Sequence, residues 1–189
     1  MADFKDPSDS EVVRLILEKK SIAARVEPVL IPSNRTGIFN LVRNDTLITL
    51  IETTLSQMQP QDCLAVLIDA EFEKPRKDRK DHKRIAEICA QYSERVALIL
   101  AIQEIEAWLL ADSGICAYLG EQAANHDHRP SPKEYLEGLL RHKKRRRWSG
   151  ADRRMVMQQL VGDGDQHSPS MGKALRKLRE HLRKSDDTA

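Results

Sequence analysis

Two acidic residues, Asp69 and Glu71, come directly after a run of apolar residues at positions 63–68. An apolar run of this length is typical of a strand covered on both faces, as in a parallel sheet. Open α/β sheets bind ligands beyond the carboxyl ends of their strands, so we expect both carboxylates at that edge. Carboxylate oxygens are the ligands that Mg²⁺ prefers. The pattern therefore indicates a metal site, with a simple turn at Asp69 as the alternative.

A second acidic pair, Glu104 and Glu106, follows another apolar run at positions 95–102. Neighbouring parallel strands lie about 4.8 Å apart, so pairing of the two runs would bring both acidic pairs within reach of one metal site. The alternative is that these glutamates only favour the positive end of the helix that begins there. Asp9, near the start of the first helix, is by itself more typical of a helix start than of a ligand.

The C-terminal part of the chain is strongly basic. Residues 129–184 carry 16 Lys and Arg against six Asp and Glu, whereas residues 1–128 carry 15 against 21. The densest run comprises Arg141, Lys143, Lys144, Arg145, Arg146, Arg147 and Trp148, with Arg153 and Arg154 close behind. Such a run matches a phosphate backbone, and an aromatic ring could stack on a base. We therefore expect DNA or RNA as a partner, with a solvated loop as the alternative.

Composition and motifs exclude several classes of protein. The three cysteines are scattered and odd in number, which is typical of buried thiols in a reducing compartment. The histidines and cysteines show no zinc spacing, and the chain has no phosphate-binding glycine loop and no nucleophile elbow. No apolar run is long enough to span a bilayer, so no membrane partner is expected. The expectation is a soluble cytoplasmic protein.

The order of predicted elements indicates an α/β fold. Hydrophobic periodicity predicts helices over residues 9–20, 37–58 (with a possible break at Asn44-Asp45), 81–92, 103–112 and 152–161, and strands over 25–31, 63–68 and 95–102. The charged segment 71–80 is predicted to be a loop. The alternation in the middle of the chain favours a parallel sheet with right-handed crossovers. Beyond residue 125 only helices are predicted, and Ser131-Pro132 and Ser168-Pro169 are typical helix starts. We therefore divide the chain into an α/β domain, 1–124, and a basic helical extension packed on it, 125–189.

Four segments in this order resemble uncharacterised TOPRIM-like proteins related to the OLD nucleases. They are PSD before the first helix, VLIDAE, LAIQEIEAWLLAD and SPKEYL, which together cover the chain from Pro7 to about Leu136. The EIEAWLLAD segment is the most specific of them. The resemblance implies a small, mainly parallel TOPRIM-like sheet flanked by helices, followed by the helical extension.

The resemblance also implies an activity. TOPRIM domains bind Mg²⁺ or Mn²⁺ for cleavage or transfer of phosphodiesters, and OLD-type sites use a further acid for a second metal. The implied metal ligands are Asp69 and Glu71 as the DxD pair, with Glu in the second place, then Glu104 and Glu106 as the further acids, and Asp9 near the family's first Glu. Lys133 matches a downstream lysine that could stabilise the phosphate in the transition state. The implied catalytic residues are Asp69, Glu71, Glu104 and Lys133.

One part of the family pattern is missing from the sequence. The opening strand and its Glu-Gly step should precede Pro7, where Lys5 and Asp6 stand instead. Asp6 as a substitute, a start upstream of Met1, and an impaired site all stay open as explanations. The sequence thus predicts a metal-dependent nuclease, with a partner ATPase in a defence or DNA-repair system. The alternatives are a non-catalytic module that binds nucleic acid or a protein partner, and a purely structural protein.

Overall fold

The computed structural model describes residues 9–22, 26–27, 41–43, 45–69, 77–146 and 149–186. In chain order the elements are α1 (Asp9–Lys19), α2 (Thr46–Gln57), β1 (Leu64–Asp69), α3 (Lys77–Gln91), β2 (Val96–Ala101), α4 (Glu106–Leu109), α5 (Ser113–Leu119), α6 (Pro132–Lys144), α7 (Gly150–Met157), a 3-10 turn (Gly164–Gln166) and α8 (Pro169–Asp186). This is an α/β fold, as predicted, with eight helices and a two-stranded parallel sheet among the described residues. Within them, no helix is both long and apolar enough to cross a membrane.

The chain forms two compact units that are not contiguous in sequence. The strand unit comprises Pro28–Leu100 and Arg176–Ala189, and the helical unit comprises Met1–Glu27 and Ala101–Leu175. In this division the residues from 125 to 175 cluster with α1 and with residues 101–124. Helix α8 begins in the helical unit and ends in the strand unit.

The strand unit is built on the β1–β2 pair. Apolar residues of α2, α3 and both strands form its core: Leu47, Ile51, Ile68, Ile85, Ile88, Cys89 and Val96. Strand β2 is mostly buried, as its apolar sequence predicts. Strand β1 is more open than predicted, since Ala65 is exposed and Ile68 is its only fully buried residue. A strand covered on both faces is therefore a good description of β2 and a poor one of β1.

The helical unit packs α4 and α5 against α6, with α1, α7 and the start of α8 around them. Trp108 is a buried core residue of α4, and its indole N–H donates to Ser170 Oγ at 2.8 Å. Ser170 also donates to the buried carboxylate of Asp127, at 2.7 Å from Oγ and 2.8 Å from N. The predicted helix start at Ser168 is confirmed, because its hydroxyl accepts from the N–H of Met171 and donates to Asp127.

Three predicted helix boundaries were wrong, and local capping explains one of them. The helix predicted over 103–112 is short, because Asp112 adopts an extended conformation (φ −84°, ψ 127°) and its carboxylate accepts from the first N–H groups of α5. Helix α3 begins at Lys77, inside a segment predicted as a loop, and α7 runs over 150–157 and not 152–161. The break predicted near Asp45 is confirmed, since α2 starts at Thr46. The predicted strand over 25–31 lies mostly outside the described residues.

Candidate functional site

Among the predicted metal ligands that the structure describes, Glu106 is the most deeply buried. It is the first residue of α4, and its side chain is only 7% exposed. Burial is the main cause that raises the pKa of its carboxyl; Arg153 opposes this increase, and the negative charges of Asp9 and Glu104 add to it. A carboxylate in this position needs a nearby cation to stay ionised.

Arg153 supplies that cation and joins two of the predicted ligands. Its Nη2 atom lies 2.9 Å from Asp9 Oδ1 and 3.9 Å from Glu106 Oε1. The three residues come from α1, α4 and α7, and Asp9 and Arg153 are 144 positions apart in the chain. Sequence reasoning grouped Arg153 with the nucleic-acid-binding residues, but its side chain is only 13% exposed and points to carboxylates. No local sequence pattern around Arg153 indicates that it pairs with Asp9 and Glu106.

Glu104 completes a cluster of three carboxylates in the helical unit. Its charge contributes to the raised pKa of Glu106, two positions later. Its Oε2 also accepts from the backbone N–H of Lys133, at 3.0 Å, in the first turn of α6. Ser131, the expected cap of α6, has φ 46° and makes no capping bond with its side chain. Glu104 therefore caps α6 from outside the helix, which adds a structural role to its predicted chemical one.

Lys133 contacts Glu104 through its backbone N–H, and Lys133 is an exposed residue. Asp69 is the last residue of β1 and is partly exposed, so it stands at the carboxyl end of a strand as predicted. It belongs to the strand unit, whereas Asp9, Glu104 and Glu106 belong to the helical unit. Glu71 lies outside the described residues.

The chemistry of the carboxylate cluster suits a hard cation, because its side-chain ligands are oxygens and one of them is buried. Its arrangement is built around a guanidinium. Among the described residues, no three His, Cys, Asp or Glu side chains are grouped closely enough to hold a metal ion. The described acids thus fit Mg²⁺ or Mn²⁺ by ligand type, and Arg153 occupies the position between two of them.

The basic run begins inside a helix and not in a loop. Helix α6 extends to Lys144, and Arg145 ends it in a left-handed conformation, φ 53°. Several of its charges have internal partners. Lys143 Nζ donates to the Gly120 carbonyl at 2.7 Å and pairs with Glu121, and Arg146 Nη1 lies 3.4 Å from Asp152 Oδ1.

The remaining residues of the run differ in their exposure and in their contacts within the protein. Lys144 Nζ lies 4.4 Å from the ring centroid of Tyr118. Arg141 and Arg145 are exposed and form no ion pair with any described residue. Arg154 is exposed on α7. Arg147 and Trp148 lie outside the described residues. The predicted interface therefore keeps fewer available charges than its sequence suggests.

The cysteines give no sign of chemistry. Cys89 and Cys116 are buried, Cys63 is partly buried, and all three are free thiols. Burial raises the pKa of the Cys116 thiol to about 11, so it is not a nucleophile at neutral pH.

Comparisons of this chain with protein-family models, with curated proteins and with solved structures found no match.

Proposed function

We propose that this protein is a metal-dependent, TOPRIM-like nuclease that cleaves phosphodiester bonds of DNA or RNA. The observation that supports the proposal most directly is that Asp9, Glu104 and Glu106, acids from two distant parts of the helical unit, lie near enough for their charges to act on one buried carboxyl. Glu104 and Glu106 were named as metal ligands from their place after an apolar run and from the family resemblance, and Asp9 from the resemblance alone. A buried carboxylate whose pKa is raised further by the charges of two other acids is costly for stability, and perturbed acids of this kind are concentrated at functional sites.

Each part of the proposed site has a defined task. Asp9, Glu104 and Glu106 of the helical unit would hold Mg²⁺ or Mn²⁺, which when bound supplies a polarised water and charge stabilisation. Asp69 and Glu71 stay proposed metal ligands through their place after an apolar run and the family resemblance alone. Glu104 keeps its carboxylate oriented through the N–H of Lys133. The exposed Arg141, Arg145 and Arg154 would hold the phosphate backbone. A partner ATPase in a defence or DNA-repair system remains part of the proposal through the family resemblance alone.

The test is calorimetric titration of Mn²⁺ and Mg²⁺ into the wild type and into Glu106→Gln and Asp69→Asn. We expect both variants to lose affinity by about tenfold or more. Fluorescent DNA and RNA are then incubated with each protein, and cleavage should require the metal and both carboxylates. Asp62→Asn is the matched control, because Asp62 is an exposed acid that only accepts from the N–H of Gln59.

One observation favours a second candidate, a non-catalytic nucleic-acid-binding module with a degenerate site. Arg153 already neutralises part of the charge of Asp9 and Glu106, as would be expected where a metal is no longer bound. Wild-type protein that binds nucleic acid, binds neither metal and cleaves neither probe would decide for this candidate and against the nuclease.

A further inference from the structure

One face of helix α8 carries a row of three arginines that is separate from the dense basic run at residues 141–148. Arg176, Arg179 and Arg183 are spaced three and four residues apart, so they follow one line along the helix surface. Arg176 and Arg183 are exposed and Arg179 is partly exposed. All three belong to the segment of α8 in the strand unit. We call them the α8 arginine row.

The opposite face of α8 is apolar and buried. Its buried residues include Leu178 and His181, and the two ring nitrogens of His181 lie 2.9 and 3.1 Å from the carbonyl oxygens of Lys177 and Ser93. The Lys177 carbonyl belongs to α8 itself, whereas the Ser93 carbonyl belongs to the turn between α3 and β2. The helix is therefore fixed by its apolar face, and the arginine row faces outward on a rigid support.

The charges of the α8 arginine row are not neutralised within the described residues. None of the three arginines forms an ion pair there, and Glu180 is the only acid between them in sequence. The end of α6 is different, because Lys143 and Arg146 are paired with acids. Unpaired guanidinium groups on a fixed helix are better prepared to bind an external anion than paired ones.

We propose that the α8 arginine row binds the phosphate backbone of a nucleic acid. The eight residues from Arg176 to Arg183 span about 10 Å along the helix axis. Each strand of a duplex carries one charge about every 3.4 Å of axis, so the row matches about three successive phosphates. Guanidinium groups bind phosphate oxygens through paired N–H donors. The row would contribute affinity and orientation and no sequence preference.

Two other polyanions fit the row less well. A membrane-binding helix inserts its apolar face into the lipid, but the apolar face of α8 is packed inside the protein. An acidic protein segment has no regular charge spacing to match a row of fixed length. The inference deepens the proposed function, on which it rests for the choice of nucleic acid, and it adds a contact surface that this function does not require.

The experiment measures binding of a short fluorescent DNA duplex, and of a single-stranded RNA of equal length, by anisotropy in EDTA. Salt is varied from about 50 to 200 mM, and the slope of log K against log salt reports the phosphates contacted. Arg176→Gln/Arg183→Gln should reduce the duplex slope by about 1.8. The control Lys83→Gln/Arg84→Gln removes the same charge from exposed residues of α3 that pair with Glu87, and should keep the wild-type slope.

Glu180→Gln provides an independent variant of opposite sign. Removing the acid beside the row should strengthen binding, whereas a merely structural effect of the substitution would not. An unchanged slope in the double arginine variant would overturn the inference. So would wild-type protein that binds phosphatidylserine vesicles or polyglutamate but neither nucleic-acid probe. EDTA removes the metal, so the binding measurement does not depend on cleavage. Protein that binds through the row but cleaves neither probe when Mg²⁺ or Mn²⁺ is supplied would contradict only the nuclease proposal.

Discussion

Asp112 and Glu106 are two buried acids on neighbouring turns of the helical unit, and their surroundings differ. Asp112 is completely buried and accepts four backbone hydrogen bonds, from the N–H groups of Gly114, Ile115, Val161 and Gly162, at 2.7–3.1 Å. Glu106 has the guanidinium of Arg153 at 3.9 Å and two other acids near it. Asp112 is held by the backbone, whereas Glu106 is held by a side chain that can move.

The difference separates a structural acid from a candidate functional one. Backbone donors cannot leave without unfolding the loop that carries them, so Asp112 joins α5 to residues 161–162 permanently. A side-chain cation can be exchanged for another cation at a smaller cost. The pKa of Glu106 is raised because the charge of Arg153 compensates only part of the cost of burying the carboxylate. Burial alone does not mark an acid as a candidate for a functional site, whereas a buried charge that is compensated only in part does.

The largest expected effect is that of Asp112→Asn. The amide NH₂ would face one of the N–H groups that the carboxylate now accepts from, which leaves buried donors without acceptors. We expect a loss of about 3 kcal/mol in the free energy of unfolding, measured by urea denaturation. Glu134→Gln, an exposed acid in the first turn of α6, should change stability by less than about 0.5 kcal/mol. Equal effects of the two substitutions would remove Asp112 from its structural role.

Arg153→Met should have the next largest effect. The substitution leaves Glu106 buried without its cation, and we expect a loss of about 2 kcal/mol near neutral pH, less than for a fully buried pair because Asp9 is half exposed. The loss should diminish in acid, as the carboxylates become protonated. Arg141→Met changes an exposed arginine of α6 that forms no ion pair with any described residue and is the control. A deficit that stays constant with pH would contradict the ion-pair explanation.

Glu106→Gln tests the raised pKa itself. A carboxyl whose pKa is higher in the folded state than its ordinary value of 4.5 binds its proton more tightly when folded. Wild-type stability is therefore reduced as pH rises through that raised pKa, and the uncharged Gln does not suffer this loss. We expect the variant to gain stability relative to wild type between about pH 4 and pH 7. Thermal unfolding at several pH values measures it, and a difference independent of pH would contradict the raised pKa.

How much of this was predictable from the sequence depends on the kind of interaction. The apolar runs around Ile68 and Ile99 correctly predicted two strands, since a buried strand leaves a continuous signal in the chain. The position of Asp9 at a helix start was also correctly predicted, because helix starts follow local rules. The helix start at Glu106 was predicted three residues too early, at residue 103. The TOPRIM assignment and the metal stay predictions, which the fold class alone does not test.

What the sequence could not predict depends on contacts between distant residues. The pairing of Asp9 with Arg153 and the capping of α6 by Glu104 have no local pattern. The neutralisation of Lys143 by Glu121, 22 residues earlier, was invisible in the same way. The α8 arginine row is visible in the sequence as the helical spacing of Arg176, Arg179 and Arg183, although the charge density is higher in the run at residues 141–148. Charge density in sequence is thus a poor measure of charge available at the surface.

The smallest expected effect, that of Glu104→Gln, sharpens the comparison most. The amide oxygen of Gln can still accept from the N–H of Lys133, so α6 keeps its cap and loses only the favourable charge at its N-terminus. We expect a cost of about 0.5 kcal/mol. If Glu104 only caps the helix, Mn²⁺ should raise the melting temperature of variant and wild type equally. If Glu104 is also a metal ligand, the variant should lose the Mn²⁺-dependent increase, because an uncharged amide binds a hard cation less well than a carboxylate. A wild type that Mn²⁺ does not stabilise at all would leave Glu104 with Asp112, among the acids that serve the fold.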